Sequence, residues 1–162
     1  MIISNAALQW IPDHPAVLAR WAAALTERGQ LAVQMPTNAD HASHRVSSEV
    51  AHEQPFLDAF GGTPPPDPVL GVAKPEEYSE RLDAIGCSEQ HVRLQVYRHH
   101  LDSSADVVEW VKGTSLTRFK ERLTPELFEE FVDRYRERLV QVLGDQRPFL
   151  YTFKRIPLWA RW

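Results

Sequence analysis

Two short apolar runs set the frame of this chain. Residues 2 to 8, Ile2-Ile3-Ser4-Asn5-Ala6-Ala7-Leu8, begin as a buried strand, and Leu31-Ala32-Val33-Gln34-Met35-Pro36 is a second apolar run bounded by turn residues. Between them Val17, Leu18, Trp21, Ala24 and Leu25 recur at helical spacing behind Asp13 as a cap and Pro15 in the first turn, with Gly29 expected in the left-handed position that closes the helix. Residues 2 to 36 therefore predict one β-α-β unit.

The next stretch, 37 to 74, reads as loop and polar helix. A helix is expected from His41 to Phe60, broken or kinked at Pro55, and residues 61 to 68, Gly-Gly-Thr-Pro-Pro-Pro-Asp-Pro, form a stiff extended segment without a core-forming pattern. From 75 onward, Pro75 opens a helix through Tyr78, Leu82 and Ile85 that Gly86 ends. Alternation of Val92, Leu94 and Val96 predicts one strand over 91–100. Ser103 and Asp106 resemble a capping box for a helix ending at Gly113, and Thr124-Pro125 start the longest helix, with Leu127, Phe128, Phe131, Tyr135, Leu139 and Val142 as its stripe. The segment 149–158 has strand composition, and Pro157 places its end or a sheet edge there. The sum is an α/β protein with a mixed sheet of about four strands and about five helices, taken as a single domain over 1–162.

Composition narrows the partners. The chain has 162 residues, 43% of them hydrophobic and 25% charged, with a formal net charge of -4, so one core is within reach and no basic footprint for nucleic acid exists. Cys87 is the only cysteine, which excludes an internal disulfide and fits a reducing, cytoplasmic setting. No apolar run approaches the ~20 residues that span a bilayer.

Candidate chemistry clusters at strand ends, because open parallel sheets bind ligands beyond the carboxyl ends of their strands. Ser4, Asn5, Gln9 and Trp10 lie there for the first strand and Gln34 to Asn38 for the second, although turns of this composition also serve as plain strand exits. His41 and His44 share a helical side without a third ligand type, so no metal site is expected. His99 and His100 point to opposite faces of a strand. Glu109-Trp110-Val111-Lys112-Gly113-Thr114 joins an indole, an ammonium and a glycine, but its Lys-Gly-Thr closes a helix where a phosphate-binding loop would open one. Lys112 also matches a helix dipole in the ordinary way.

Three ordered segments, Ser4 to His14, Leu31 to Pro36 and Val108 to Thr114, together with Ser43-His44 and Phe153-Lys154-Arg155, resemble the trans-aconitate 2-methyltransferase family. The resemblance implies the carboxyl-terminal part of a Rossmann-like class I methyltransferase fold, from the fourth strand on, without the first three strands. It implies S-adenosylmethionine as cofactor, with Asn5, Ala6 and Gln9 near it, and a small polycarboxylate as substrate, with Trp10, Gln34, His44, Trp110, Lys112 and Arg155 as the substrate wall. No catalytic base is implied, since a carboxylate with pKa near ~4 is already ionised at neutral pH. Lys154 competes with Arg155 if the strand register slips by one. No Gly-x-Gly occurs in the sequence, so the chain alone is expected to lack turnover. The alternative is a non-catalytic binding or assembly module whose first strand presents an apolar edge, giving self-association or pairing with the missing half.

Overall fold

The structure, a computed structural model, describes residues 1–162. In chain order it comprises strand β1 (Ile2–Asn5), helix α1 (His14–Ala23), β2 (Gln30–Pro36), α2 (Ala42–Ala51), α3 (Phe56–Ala59), α4 (Pro75–Ala84), β3 (Glu89–Val92), β4 (Gln95–Leu101), α5 (Asp106–Lys112), α6 (Thr117–Lys120), α7 (Pro125–Leu143) and β5 (Phe149–Arg161). The five strands make one mixed sheet in the order β1-β2-β5-β3, with β4 also pairing β5. β1 and β2 are parallel, while β5 runs antiparallel to β2 and to β3. The chain is thus α/β with a mixed sheet, of five strands where four were expected. Its backbone contacts group into two compact units, Met1–Asn38 with Pro68–Tyr97 and Phe153–Trp162, and Ala39–Asp67 with Arg98–Thr152.

In the first unit, period-2 alternation does the sorting. Leu31, Val33 and Met35 of β2 and Ile156, Leu158 and Ala160 of β5 are buried with Val17 and Leu18 of α1 and Tyr78 and Leu82 of α4, so these two helices cover one sheet face. Side chains of the opposite parity form rows on the other face. Ile3 pairs Ala32, Ala32 pairs Trp159 and Trp159 pairs His91; one step along, Asn5 pairs Gln34 and Gln34 pairs Pro157. That face is partly open, with Ile3 68% exposed.

The second unit packs α2 and α7, joined by the Tyr135 hydroxyl, which donates to Ser43 O at 2.9 Å, and Phe56 of α3 meets Phe131 of α7 edge-on. Phe119 of α6 packs on Phe131 at 4.7 Å between centroids. Tyr135 is fully buried, and burial pushes its phenol far up from its ordinary value.

Several expectations need correction. Residues 2 to 8 are not one strand: β1 stops at Asn5 and Leu8–Trp10 form a 3-10 turn. Gly29 does not close α1, which ends at Ala23; Arg28 holds the left-handed conformation (φ 61), and Gly29 is needed because a Cβ would lie 2.6 Å from that of Leu25. The helix expected over 41–60 divides into α2 and α3, with Pro55 capping the second. The strand expected over 91–100 is two, β3 and β4, and Leu94 and Val96 are each 51% exposed, so their alternation does not mark a core face. Val142 leaves the α7 stripe, 49% exposed.

Pro157 marks neither an end nor an edge. It sits inside β5 between two neighbours, where the ladder to β3 ends at Val92↔Leu158. Arg93 N donates to Pro157 O at 3.2 Å, and proline has no N–H to return. The imino acid thus falls in the break between β3 and β4, the one place in a central strand that wants no donor.

Candidate functional site

The loop after β1 is built from a strained backbone and two pins. Ala6 adopts φ 50, a left-handed conformation that costs an alanine roughly 1–2 kcal/mol. Its N–H donates to Gln34 O at 2.8 Å, and Gln9 Nε2 donates to Ala6 O at 2.8 Å. The other end of that amide, Gln9 Oε1, is buried without a hydrogen-bond partner. An orphaned buried acceptor beside a strained loop at the carboxyl end of a parallel strand makes this loop a candidate ligand site. Trp10 follows on the 3-10 turn and is 52% exposed.

Beside this loop, Gln34 and Arg155 meet on the open face. The β2–β5 register pairs Pro36 with Arg155, so Arg155 shares parity with Pro157 and Trp159, and its guanidinium donates through Nη1 to Gln34 Oε1 in a short contact. The cation also lies over the rings of Phe153, at 5.0 Å, and Tyr97, at 5.9 Å. Lys154 has the opposite parity. Its N–H donates at 3.1 Å to Oδ1 of Asn38, a fully buried side chain. Along the same face a cavity of about 430 Å³ runs over Ile3, Asn5, Ala32, Gln34, Arg93 and Trp159. Its volume lies within the range of small-molecule sites, and its lining mixes apolar and polar side chains.

The second unit holds the remaining candidates. His44, 6% exposed on α2, places Nδ1 2.7 Å from Asp67 Oδ2, and Arg118 Nη1 is 3.2 Å from the same oxygen. Burial pulls the Arg118 guanidinium below its ordinary value while the Asp67 carboxylate opposes the shift. Trp110, 40% exposed on α5, packs against His99 at 4.4 Å and edge-on against Tyr151 at 5.8 Å, and His41 meets Tyr151 from another direction at 4.9 Å. Lys112 does not join Trp110. Two residues on along the helix it turns to a shallow hollow lined by Phe128, Val132, Asp133 and Arg136, with Glu109 3.9 Å away.

Asn5, Ala6, Gln9, Gln34 and Arg155 are therefore neighbours within the first unit, and His44 and Trp110 lie in the second. Asp67, Arg118 and Tyr97 were missed. An acidic residue between Pro66 and Pro68 was a usable signal for Asp67, since both prolines restrict the backbone that delivers it. Nothing local marks Arg118, whose partner hydroxyls on Ser47 and Ser48 are about seventy residues away in sequence.

No protein-family model matches the chain. Among curated proteins it is similar to the trans-aconitate 2-methyltransferase of Deinococcus radiodurans, 38% identical over 96% of this chain and 60% of that protein. It is also similar to that of Mycobacterium sp. (strain KMS), 34% identical over 99% of this chain and 63% of the relative, and to that of Methylobacterium nodulans, 37% identical over 99% and 62%. The chain spans about three-fifths of the length of these relatives. A solved Haemonchus contortus phosphoethanolamine N-methyltransferase 2, in complex with S-adenosyl-L-methionine, aligns with 98% of this chain and 32% of its own, with TM-score 0.45 and 14% identity.

Proposed function

We propose that the chain, similar to trans-aconitate 2-methyltransferases over about three-fifths of their length, carries the carboxylate-holding part of an S-adenosylmethionine-dependent carboxyl methyltransferase that esterifies a small polycarboxylate in the cytoplasm. The observation that carries this reading is the Gln34–Arg155 pair on the open sheet face, in the same row system as Asn5.

Arg155 offers a planar fork that suits a carboxylate, and the Gln34 amide and the Phe153 and Tyr97 rings hold that fork in place. The substrate oxygen is already an anion and needs no base, so these residues align it and withhold one carboxylate from solvent while another reacts. Bound S-adenosylmethionine would supply a sulfonium methyl group for transfer to the carboxylate oxygen, the C–S bond breaking as the O–C bond forms and the neutral thioether leaving. On the donor side the residues present fit one wall: Ala6 and Ala7 allow close approach, Gln9 Oε1 is a buried acceptor without a partner in the protein, and Asn5 adds an amide. With no Gly-x-Gly turn in the sequence, this wall holds the cofactor weakly, and the chain by itself does not turn over. Trp10 is proposed as the rim of the same loop. For His44 and Trp110 of the second unit a part in holding a carboxylate is proposed from the resemblance; Lys112, turned toward α7, is left out.

Titrating the isotope-labelled chain with trans-aconitate tests the reading. Arg155 and Gln34 side-chain resonances are expected to move, and Arg155→Met to abolish the response; unmoved resonances at millimolar ligand would refute it. Isothermal titration showing micromolar S-adenosylmethionine affinity, or methyl ester formed by the purified chain, would overturn the proposed inactivity.

A second reading, a non-catalytic module that pairs through its sheet edge, draws on β1. This strand ends the sheet order, and Met1 and Ile3 are 75% and 68% exposed. Sedimentation equilibrium decides it: a monomer at high concentration removes it.

A further inference from the structure

The proline-flanked segment before α4 delivers a carboxylate into the second unit with more precision than a linker requires. Asp67, 5% exposed, accepts from His44 and forms an ion pair with Arg118 through the same oxygen. Arg118, 7% exposed, spends Nη2 on the Ser47 and Ser48 hydroxyls at 3.3 and 3.2 Å, while its buried Nε and Nη1 make no hydrogen bond. The Ser47 hydroxyl in turn donates to His44 O at 2.9 Å. Arginine therefore neutralises Asp67, and the imidazole is an extra partner that the carboxylate does not need for charge balance.

That extra partner is held at one nitrogen only. An ionised carboxylate accepts and cannot donate, so Nδ1 of His44 carries the proton in this contact. Nε2 makes no hydrogen bond within the protein and is not among the sealed polar atoms without partners. A histidine with tautomer and ring plane fixed from behind and its other nitrogen left open is the arrangement by which proteins present an imidazole to a ligand.

We propose that His44 is a carboxylate-binding residue of the second unit and that Asp67, itself fixed by Arg118, is its positioning residue. A ligand carboxylate at Nε2 and Asp67 at Nδ1 are bridged by the two N–H donors of the doubly protonated ring. Only the choice of a polycarboxylate as ligand rests on the function proposed above; the tautomer lock does not.

Nitrogen-15 NMR of the histidine rings in the ligand-free chain tests the lock first, with no substitution needed. His44 is expected as the Nδ1–H form; an Nε2–H form would overturn the proposal. In Asp67→Asn, Arg118 holds the amide oxygen, the amide nitrogen faces the imidazole, and the tautomer is expected to switch, with the amide spectrum otherwise kept. Unchanged imidazole lines in that variant would also overturn it. Trans-aconitate is then titrated into both. The His44 Nε2 line of the wild type is expected to move, and Asp67→Asn to bind about tenfold more weakly, as a charged hydrogen bond becomes a neutral one. Binding that moves Arg155 but leaves His44 unmoved overturns the ligand role of His44 while the function stands. No binding anywhere refutes the function and the ligand role together, and the ligand-free spectrum still decides the lock.

Discussion

Removing either charge of the Asp67–Arg118 pair should be among the costliest single changes in the second unit, and removing both should cost far less than the sum. The two side chains are 3% and 5% exposed and 3.2 Å apart, so a lone survivor is an uncompensated buried ion, a loss of about 3–5 kcal/mol. Arg118→Met adds the loss of two serine hydroxyl bonds at about 0.5–1.5 kcal/mol each, partly recovered by the apolar stem. It also forfeits the cation's seat 4.4 Å over the Phe119 ring. For a chain of this size 3–5 kcal/mol corresponds to a melting temperature lower by about 6–20 °C. In the double variant Asp67→Asn/Arg118→Met neither ion remains, and the cycle should return a coupling of about 2–3 kcal/mol. Urea melts of the four proteins measure it, provided the slopes agree. Additivity within about 0.5 kcal/mol, or an Arg118→Met cost under about 1 kcal/mol, would refute the claim that the pair is electrostatically sealed.

Other outcomes follow from single contacts. His14 is 4% exposed, with Nδ1 2.6 Å from the Tyr78 hydroxyl, and burial lowers its pKa below 6.5. The unfolded chain therefore binds the extra proton first, so stability is full above about pH 6.5 and falls as pH drops through the lower folded value; His14→Gln should flatten that slope in pH-dependent melts. Ala6→Gly should stabilise by about 1 kcal/mol in calorimetry, since glycine accepts φ 50 without strain. Gln9→Ala, by freeing the carbonyl of Ala6, should cost about 1 kcal/mol and speed hydrogen exchange at the Ala6 amide. If β1 pairs with another chain through its edge, Ile3→Lys should lower the sedimentation-average mass; an unchanged self-associated mass would place the contact elsewhere.

Local chemistry made much of the fold readable. Asp13 caps α1 through Ala16 N at 3.2 Å, Thr124 caps α7 through Leu127 N at 3.3 Å, and Gly86 and Gly144 take positive φ behind their helices as anticipated. Ser103 does bond Asp106, through N at 2.8 Å and Oγ at 3.0 Å, yet α5 begins only at Asp106 because Ser103 to Ala105 spend their carbonyls on turns. The failures share a cause. Where Arg93 and Leu94 part β3 from β4, the reason lies in Pro157, more than sixty residues on, and no window of local sequence contains both.

The same distinction separates the two halves of the candidate site. Asn5, Gln9 and Gln34 could be named from sequence because a parallel strand's carboxyl end is a local feature, recognisable from the apolar run that precedes it. Arg155 could be named only by resemblance, and its claim over Lys154 depends on the pairing of Pro36 with Arg155, a fact of sheet register. Asp67 and Arg118 are more remote still: one comes from a proline segment without core pattern, the other from a four-residue helix that no periodicity announces. Both are ions that burial penalises, and their position is explained only jointly, by each other and by His44. Charged residues that are buried at a cost, where the apolar pattern offers no reason, are the ones whose partners merit measurement first.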